Sequence, residues 1–149
     1  MNVRDIMTSP VVTVDPSATV AEVARLMLER HLSGLPVVDA DGRMVGLITK
    51  ADVVEKHAQV HLPIYLGILG YAVPIRVRHT DDEIRHVLAV TARDLMRPQP
   101  VTIDPASTVD KAATLMVEHS VNPVPVLEEG RLVGIIGYDD IIRVLLQEE

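Results

Sequence analysis

The hydrophobic positions change period several times along the chain, and the changes occur twice. Val20, Val23, Ala24 and Met27 fall at i, i+3, i+4 and i+7, one apolar helix face, and Thr19-x-x-Glu22 ahead of them has capping-box spacing. Val109, Ala112, Ala113 and Met116 repeat that face. Residues 11–14 and 100–103 are short β-branched runs that end in Asp-Pro, which predicts a strand followed by a turn. Residues 35–38 and 44–48 are apolar runs separated by Asp39-Ala40-Asp41-Gly42-Arg43, a hairpin signal, and Glu128-Glu129-Gly130 is its shorter copy. Pro36 has no N–H to give to a ladder, so its strand is expected to lie at an edge or to begin there. Further helices are expected over residues 51–58 and 139–147.

Displacing the chain on itself by 89 residues aligns Arg4-Asp5-Ile6-Met7 with Arg93-Asp94-Leu95-Met96, and Val12-Thr13-Val14-Asp15-Pro16 with Val101-Thr102-Ile103-Asp104-Pro105. After a one-residue deletion Gly42-Arg43-Met44-Val45-Gly46 meets Gly130-Arg131-Leu132-Val133-Gly134, and about 21 of 49 aligned positions are identical. The chain is therefore a tandem duplication. Its expected division is a first repeat over 1–56, a connecting insert with a helix over 57–90 and a second repeat over 91–149. A unit of this size buries too little apolar surface to stand comfortably alone, and two copies packed face to face about a pseudo-twofold axis solve that. The fold class is α/β (α+β): two β-α-β-β-α units packed as one module.

In the insert, His57 and His61 lie at i, i+4 on a predicted helix, but no third metal ligand follows at convincing spacing. Ile64-Tyr65-Leu66-Gly67-Ile68-Leu69 is apolar on all sides and is expected to be buried, against the pair or in a dimer contact. Asp82 and His86 form an i, i+4 surface pair on a helix that leads into the second repeat.

Composition removes several function classes. Hydrophobic content is 48% but aromatic content only 2%, with no Trp and no Phe, so the core must be built from Val, Ile, Leu, Met and Ala. The absence of cysteine excludes disulfides, Cys-ligated zinc, iron–sulfur clusters and thiol nucleophiles, and fits a reducing cytoplasm. A net charge of −7 argues against sequence-independent binding to nucleic acid, which needs Lys and Arg on phosphates. The longest apolar stretch, residues 62–75, is too short for a bilayer span and holds two prolines, and the N-terminus does not read as a signal peptide, so a cytoplasmic location with no membrane contact is expected.

The ordered pattern D-I-M-T, then T-V-x-P, L-P-V-V-D and G-L-I-T-K-A-D, present twice, resembles the cystathionine-β-synthase (CBS) domain over residues 1–56 and 91–145. The resemblance implies a tandem CBS pair, a regulatory module binding AMP, ADP, ATP, S-adenosylmethionine or a similar adenosine-containing ligand. It implies no catalytic residue, no cofactor, and no metal beyond magnesium carried in with a nucleotide. Its expected partners are the adenine nucleotide, a second copy joined through helices of both repeats, and a regulated protein the sequence does not name.

The junction Gly46-Leu47-Ile48-Thr49-Lys50-Ala51-Asp52 passes from strand into helix, and is expected to offer free backbone N–H groups and the helix dipole to a phosphate. Thr49 adds a hydroxyl and Lys50 a charge, while Asp52 can accept from ribose hydroxyls, the roles the resemblance implies for that Thr and Asp. It also places the adenine at Leu32, Ser33, Gly34 and Pro36, with Thr8 and Val12 as the opposite wall. Each residue has a plainer reading: Val12, Leu32 and Leu35 as core, Thr49 and Asp52 as a helix cap. The second site is degenerate, made of Val101, Val121, Asn122, Pro123, Gly137, Tyr138 and Asp140. It keeps the carboxylate but has Gly137 for the hydroxyl; Tyr138 either covers a base or lies at the surface. It is left open to a nucleotide, to an uncharged adenosine ligand, or to no ligand. Two other readings stay open: a ligand-free dimerisation scaffold, and a small metal-dependent hydrolase using His57, His61, Asp81 and Asp82, for which no nucleophile–base constellation is present.

Overall fold

The computed structural model describes residues 1–56 and 90–148. The expectations for His57, His61, the apolar run 64–69, Asp81, Asp82 and His86 lie outside them. The first repeat contributes α1 (Val3–Ile6), α2 (Val20–Arg30), β1 (Gly34–Val38), β2 (Met44–Thr49) and a helix α3 described over residues 50–56. The second contributes α4 (Ala92–Leu95), α5 (Val109–His119), β3 (Val124–Glu128), β4 (Arg131–Ile136) and α6 (Tyr138–Gln147). This is a mixed helix and strand fold with two small antiparallel sheets, β1–β2 and β3–β4.

Local chemistry accounts for the elements. Thr19 caps α2 reciprocally with Glu22: the Glu22 amide donates to Thr19 Oγ1 at 3.2 Å and the Thr19 amide to Glu22 Oε2 at 2.9 Å. In the β1–β2 turn, Asp39 Oδ1 accepts from the amides of Asp41 (2.9 Å) and Arg43 (3.0 Å), and Gly42 takes φ +81°. Pro36 is tolerated in β1 because its antiparallel partner Leu47 directs its own N–H and C=O to Arg97 instead. Toward its other neighbour only the Pro36 carbonyl is needed, and it accepts from the Val14 amide at 3.0 Å.

Two expectations are corrected. The runs 11–14 and 100–103 do not form strands of their own; each joins its sheet through one parallel bridge, Val14 to Val37 and Ile103 to Val126. The short helices α1 and α4 fall where no helix was expected, and they change the architecture. Val3 in α1 is buried among Ile103, Ala112, Met116, Val124, Val126 and Ile136 of the second repeat, while Ala92 in α4 is buried among Val14, Val23, Met27, Leu35, Val37 and Ile48 of the first. The repeats thus exchange their opening helices. The Val3 and Arg4 amides donate to the Ser107 and Pro105 carbonyls, and the equivalent Ala92 and Arg93 amides donate to Ala18 and Pro16. Neither core closes without a piece of the other repeat.

The exchange also explains two glycines. A Cβ at Gly46 would lie 2.5 Å from Met96 Sδ, and one at Gly134 would overlap Met7 in the same way. Each methionine, at the end of an exchanged helix, lies flat on the other repeat's sheet where only glycine leaves room. At the pseudo-twofold axis a Cβ on Gly34 would meet Pro123 Cδ at 2.6 Å, so the segments expected to form the two adenine pockets abut.

Candidate ligand clefts at the strand–helix junctions

At the first junction Asp52 lies at the third position of α3 and its side chain is 8% exposed. Its Oδ2 accepts from the Thr49 amide (2.8 Å) and the Thr49 hydroxyl (3.0 Å), and its own amide is 3.3 Å from Thr49 Oγ1. This is the capping arrangement that Thr49 and Asp52 allow. The other oxygen, Oδ1, accepts from Arg97 Nε at 3.0 Å, an ion pair that crosses between the repeats. Arg97 is held there by a reciprocal backbone pair with Leu47, amide to carbonyl at 2.9 and 3.1 Å.

Three of the backbone donors expected to be free at this junction are occupied. The Thr49 amide is taken by Asp52, the Lys50 amide donates to the Ser33 carbonyl at 3.0 Å, and the Asp52 amide turns to the Thr49 hydroxyl. These three amides are engaged within the protein, and the charged donors beside them are Lys50 and Arg97.

The structure separates other expected members of the first site. The Thr8 backbone pairs with Ile135 in β4, with its amide donating at 2.9 Å and its carbonyl accepting at 3.1 Å, and Arg97 holds the equivalent place beside β2 and Asp52. The exchange of opening helices brings Thr8 to the second hairpin. Val12 and Leu32 pack against the first core, and Pro36 is fully buried in it. Ser33 and Gly34 border the junction directly, Ser33 through the Lys50 amide and Gly34 as the strand partner of Thr49. Sequence reading missed Arg97. The signal was present, since the displacement by 89 residues aligns Arg97 with Thr8, yet which hairpin each faces is invisible without the exchange.

At the second junction Asp140 Oδ2 accepts from the Gly137 amide at 2.8 Å, with no hydroxyl beside it, and Oδ1 meets Arg143 Nη1 of its own helix at 3.3 Å. The Tyr138 amide donates to Asn122 Oδ1 at 2.9 Å, a side-chain acceptor in place of the Ser33 carbonyl. Pro123 is buried against Gly34, Val121 packs on the second core, Val101 is half-buried and the Tyr138 side chain is exposed. Among the described residues, no group of three or more His, Asp or Glu is placed to hold a metal ion.

Comparison with known proteins decides the family. The CBS domain matches residues 3–58 and 92–147. The chain belongs to the CBS domain family. It carries a tandem pair of CBS units, as the duplication and the exchanged helices lead one to expect. An uncharacterized protein of Methanocaldococcus jannaschii, MJ1426, is 29% identical over 98% of this chain and 92% of its own length. Hypoxic response protein 1 of Mycobacterium tuberculosis is 30% identical over 94% of this chain and 82% of its own, and its crystal structure has two coordinated zinc ions. The crystal structure of CBSX2 in complex with AMP superposes with a TM-score of 0.74 at 25% identity, covering 99% of this chain and 97% of that one. This chain spans 58% of the full CBSX2 of Arabidopsis thaliana. No helix among the described CBS residues is long and apolar enough to cross a membrane.

Proposed function

We propose that this CBS pair is a regulatory module that binds an adenine nucleotide or a related adenosine-containing ligand at the junctions between its repeats, and signals occupancy through a change in shape. The observation that carries the reading is the Asp52 carboxylate, nearly buried and bonded from both repeats at once, to Thr49 of its own and Arg97 of the other. A ligand whose ribose hydroxyls donate to this carboxylate bears on a group shared between the repeats, which gives it different affinities for two arrangements of the pair. The AMP complex of CBSX2 supports the ligand class. Thr49, Lys50, Ser33 and Gly34 complete the first site in this reading, and Asp140, Gly137, Asn122 and Tyr138 the second. The repeats are taken as 1–56 and 91–149 around the insert 57–90, and the module is regulatory rather than catalytic.

A thermal-shift and calorimetric screen against AMP, ADP, ATP, NADH and S-adenosylmethionine, with GMP as control, tests this. A ligand that binds only the folded chain raises stability by about 2.7 kcal/mol at a hundredfold excess over its Kd. The expected result is an adenine-selective shift lost in Asp52→Ala. Absence of any shift at millimolar ligand overturns the reading and leaves the scaffold.

The module is further proposed to dimerise through helices of both repeats. Leu28 on α2 and its equivalent Val117 on α5 are 74% and 75% exposed, and Val54, Ile142, Leu145 and Leu146 extend the apolar surface over α3 and α6. Ile142→Asp is expected to move a dimer to monomer by at least tenfold in dissociation constant; sedimentation showing a wild-type monomer overturns this part alone.

A further inference from the structure

We infer that Arg97 makes the first cleft selective for a phosphate-bearing ligand, and that the second cleft, which lacks its counterpart, takes an uncharged one. The inference rests on the reading of these junctions as adenosine-ligand sites, and names the ligand chemistry of each.

The first step is the withdrawal of most of the neutral donors. The amides of Thr49, Lys50 and Asp52 are each occupied, and the Thr49 hydroxyl proton is directed at Asp52 Oδ2. A phosphate arriving at this helix start meets, besides the Ala51 amide, two cations, Lys50 at the exposed rim and Arg97 from the other repeat. Arg97 is the better placed of the two. Its backbone is fixed to Leu47 by two hydrogen bonds and its Nε to Asp52, whereas its side chain is 59% exposed and its terminal guanidinium nitrogens make no hydrogen bond among the described residues. It is oriented at one end and unfilled at the other, so a fork of two N–H donors remains for an anion.

The second step is the contrast with the other cleft. Equivalent positions carry Thr8 for Arg97, Tyr138 for Lys50 and Asp139 for Ala51, and every one of these exchanges makes the second cleft less attractive to an anion. The exchange in the opposite direction, Arg143 for Glu55, lies a turn further along α6, and its guanidinium sits on Asp140. Asp140 itself has more acceptor capacity left than Asp52, because Gly137 has no hydroxyl to occupy Oδ2. The second carboxylate is thus suited to the hydroxyls of an uncharged nucleoside, and the first junction to a nucleotide whose phosphate meets Arg97.

The test is calorimetric titration of the full chain with AMP and with adenosine, a pair that differs only in the phosphate, reading the binding event that Asp52→Ala removes. Wild type is expected to bind AMP there at least tenfold more tightly than adenosine. Arg97→Thr, which installs the residue the other hairpin carries, is expected to bring the two ligands within twofold, and Arg97→Lys to fall between. Circular dichroism melting of both variants confirms that they fold. Retention of the tenfold preference in a folded Arg97→Thr overturns the role of Arg97 while leaving the adenosine-ligand reading intact. A wild type that binds adenosine as tightly as AMP also overturns it, and a wild type that binds neither overturns both.

Discussion

The two clefts have the same ancestry and nearly the same backbone, yet they differ in what holds their carboxylates. Asp52 is gripped from both repeats, by the Thr49 amide and hydroxyl on one side and Arg97 on the other. Among the described residues Asp140 is bonded within its own repeat only, to Gly137 and Arg143. A duplicated unit therefore delivers one junction coupled to the other repeat and one that is self-contained. Because a carboxylate bonded across an interface transmits any change in its partners to that interface, a change at Asp52 reaches the contact between the repeats, and a change at Asp140 has less consequence for the pair.

The largest expected effect tests whether the cores beneath the clefts are equal. Ile48 and its equivalent Ile136 are both fully buried, so Ile48→Ala and Ile136→Ala are each expected to cost about 2–5 kcal/mol in urea unfolding. Costs that differ by more than half would show that the duplication has not left the two cores energetically alike. Next, Asp52→Ala is expected to weaken adenine-ligand binding by about 1.5–3 kcal/mol, the range for a hydrogen bond to a charged group, while Asp140→Ala leaves that binding event within a few fold. Calorimetry showing the reverse order would exchange the roles of the clefts. A smaller effect sharpens the difference in capping: Gly137→Thr restores the hydroxyl at an extended φ of −126° and is expected to stabilise the chain by only a few tenths of a kcal/mol, since glycine is itself a fair N-cap. A loss of stability would mean that the new side chain collides with Asn122, whose Oδ1 lies 3.3 Å from the added Cβ.

The smallest effect concerns the helix that delivers Arg97. The Thr91 amide and hydroxyl bond Asp94 and hold its carboxyl below the ordinary carboxylate range. With the folded pKa below the unfolded one, the stabilisation is fully present above the unfolded value of about 3.9 and is lost as pH falls through the folded value. Asp94→Asn is expected to flatten the stability profile in that acid window, lowering stability slightly near neutrality and leaving it closest to wild type at the lowest pH, as chemical denaturation at a series of pH values would reveal.

Much of the fold was legible because it rests on local chemistry. The capped face of α2, the Asp39–Gly42 turn and the duplicated hairpins are written in spacings that a single unit satisfies alone. The candidate site was legible in part: Thr49 and Asp52 lie together at the strand–helix junction, but Thr8 faces the other hairpin, Pro36 is core, and three of the amides expected to be free are occupied. Those departures have one source. Sequence displacement aligns equivalent residues and is silent about which copy they touch, and capping consumes donors that a strand-to-helix pattern leaves apparently free.

By itself, then, the sequence determined that the chain is a duplication, where each unit turns, which positions are apolar, and that each repeat keeps an acidic residue at its helix start. These follow from contacts within a few residues or from identity between copies. Only the tertiary structure decided that α1 and α4 cross to the opposite core, that Gly46 and Gly134 must be glycine to admit Met96 and Met7, and that Arg97 rather than Thr8 stands over Asp52. Such partners are far apart in the chain and are chosen by which helix fills which core, a property of the packed pair that neither repeat carries alone.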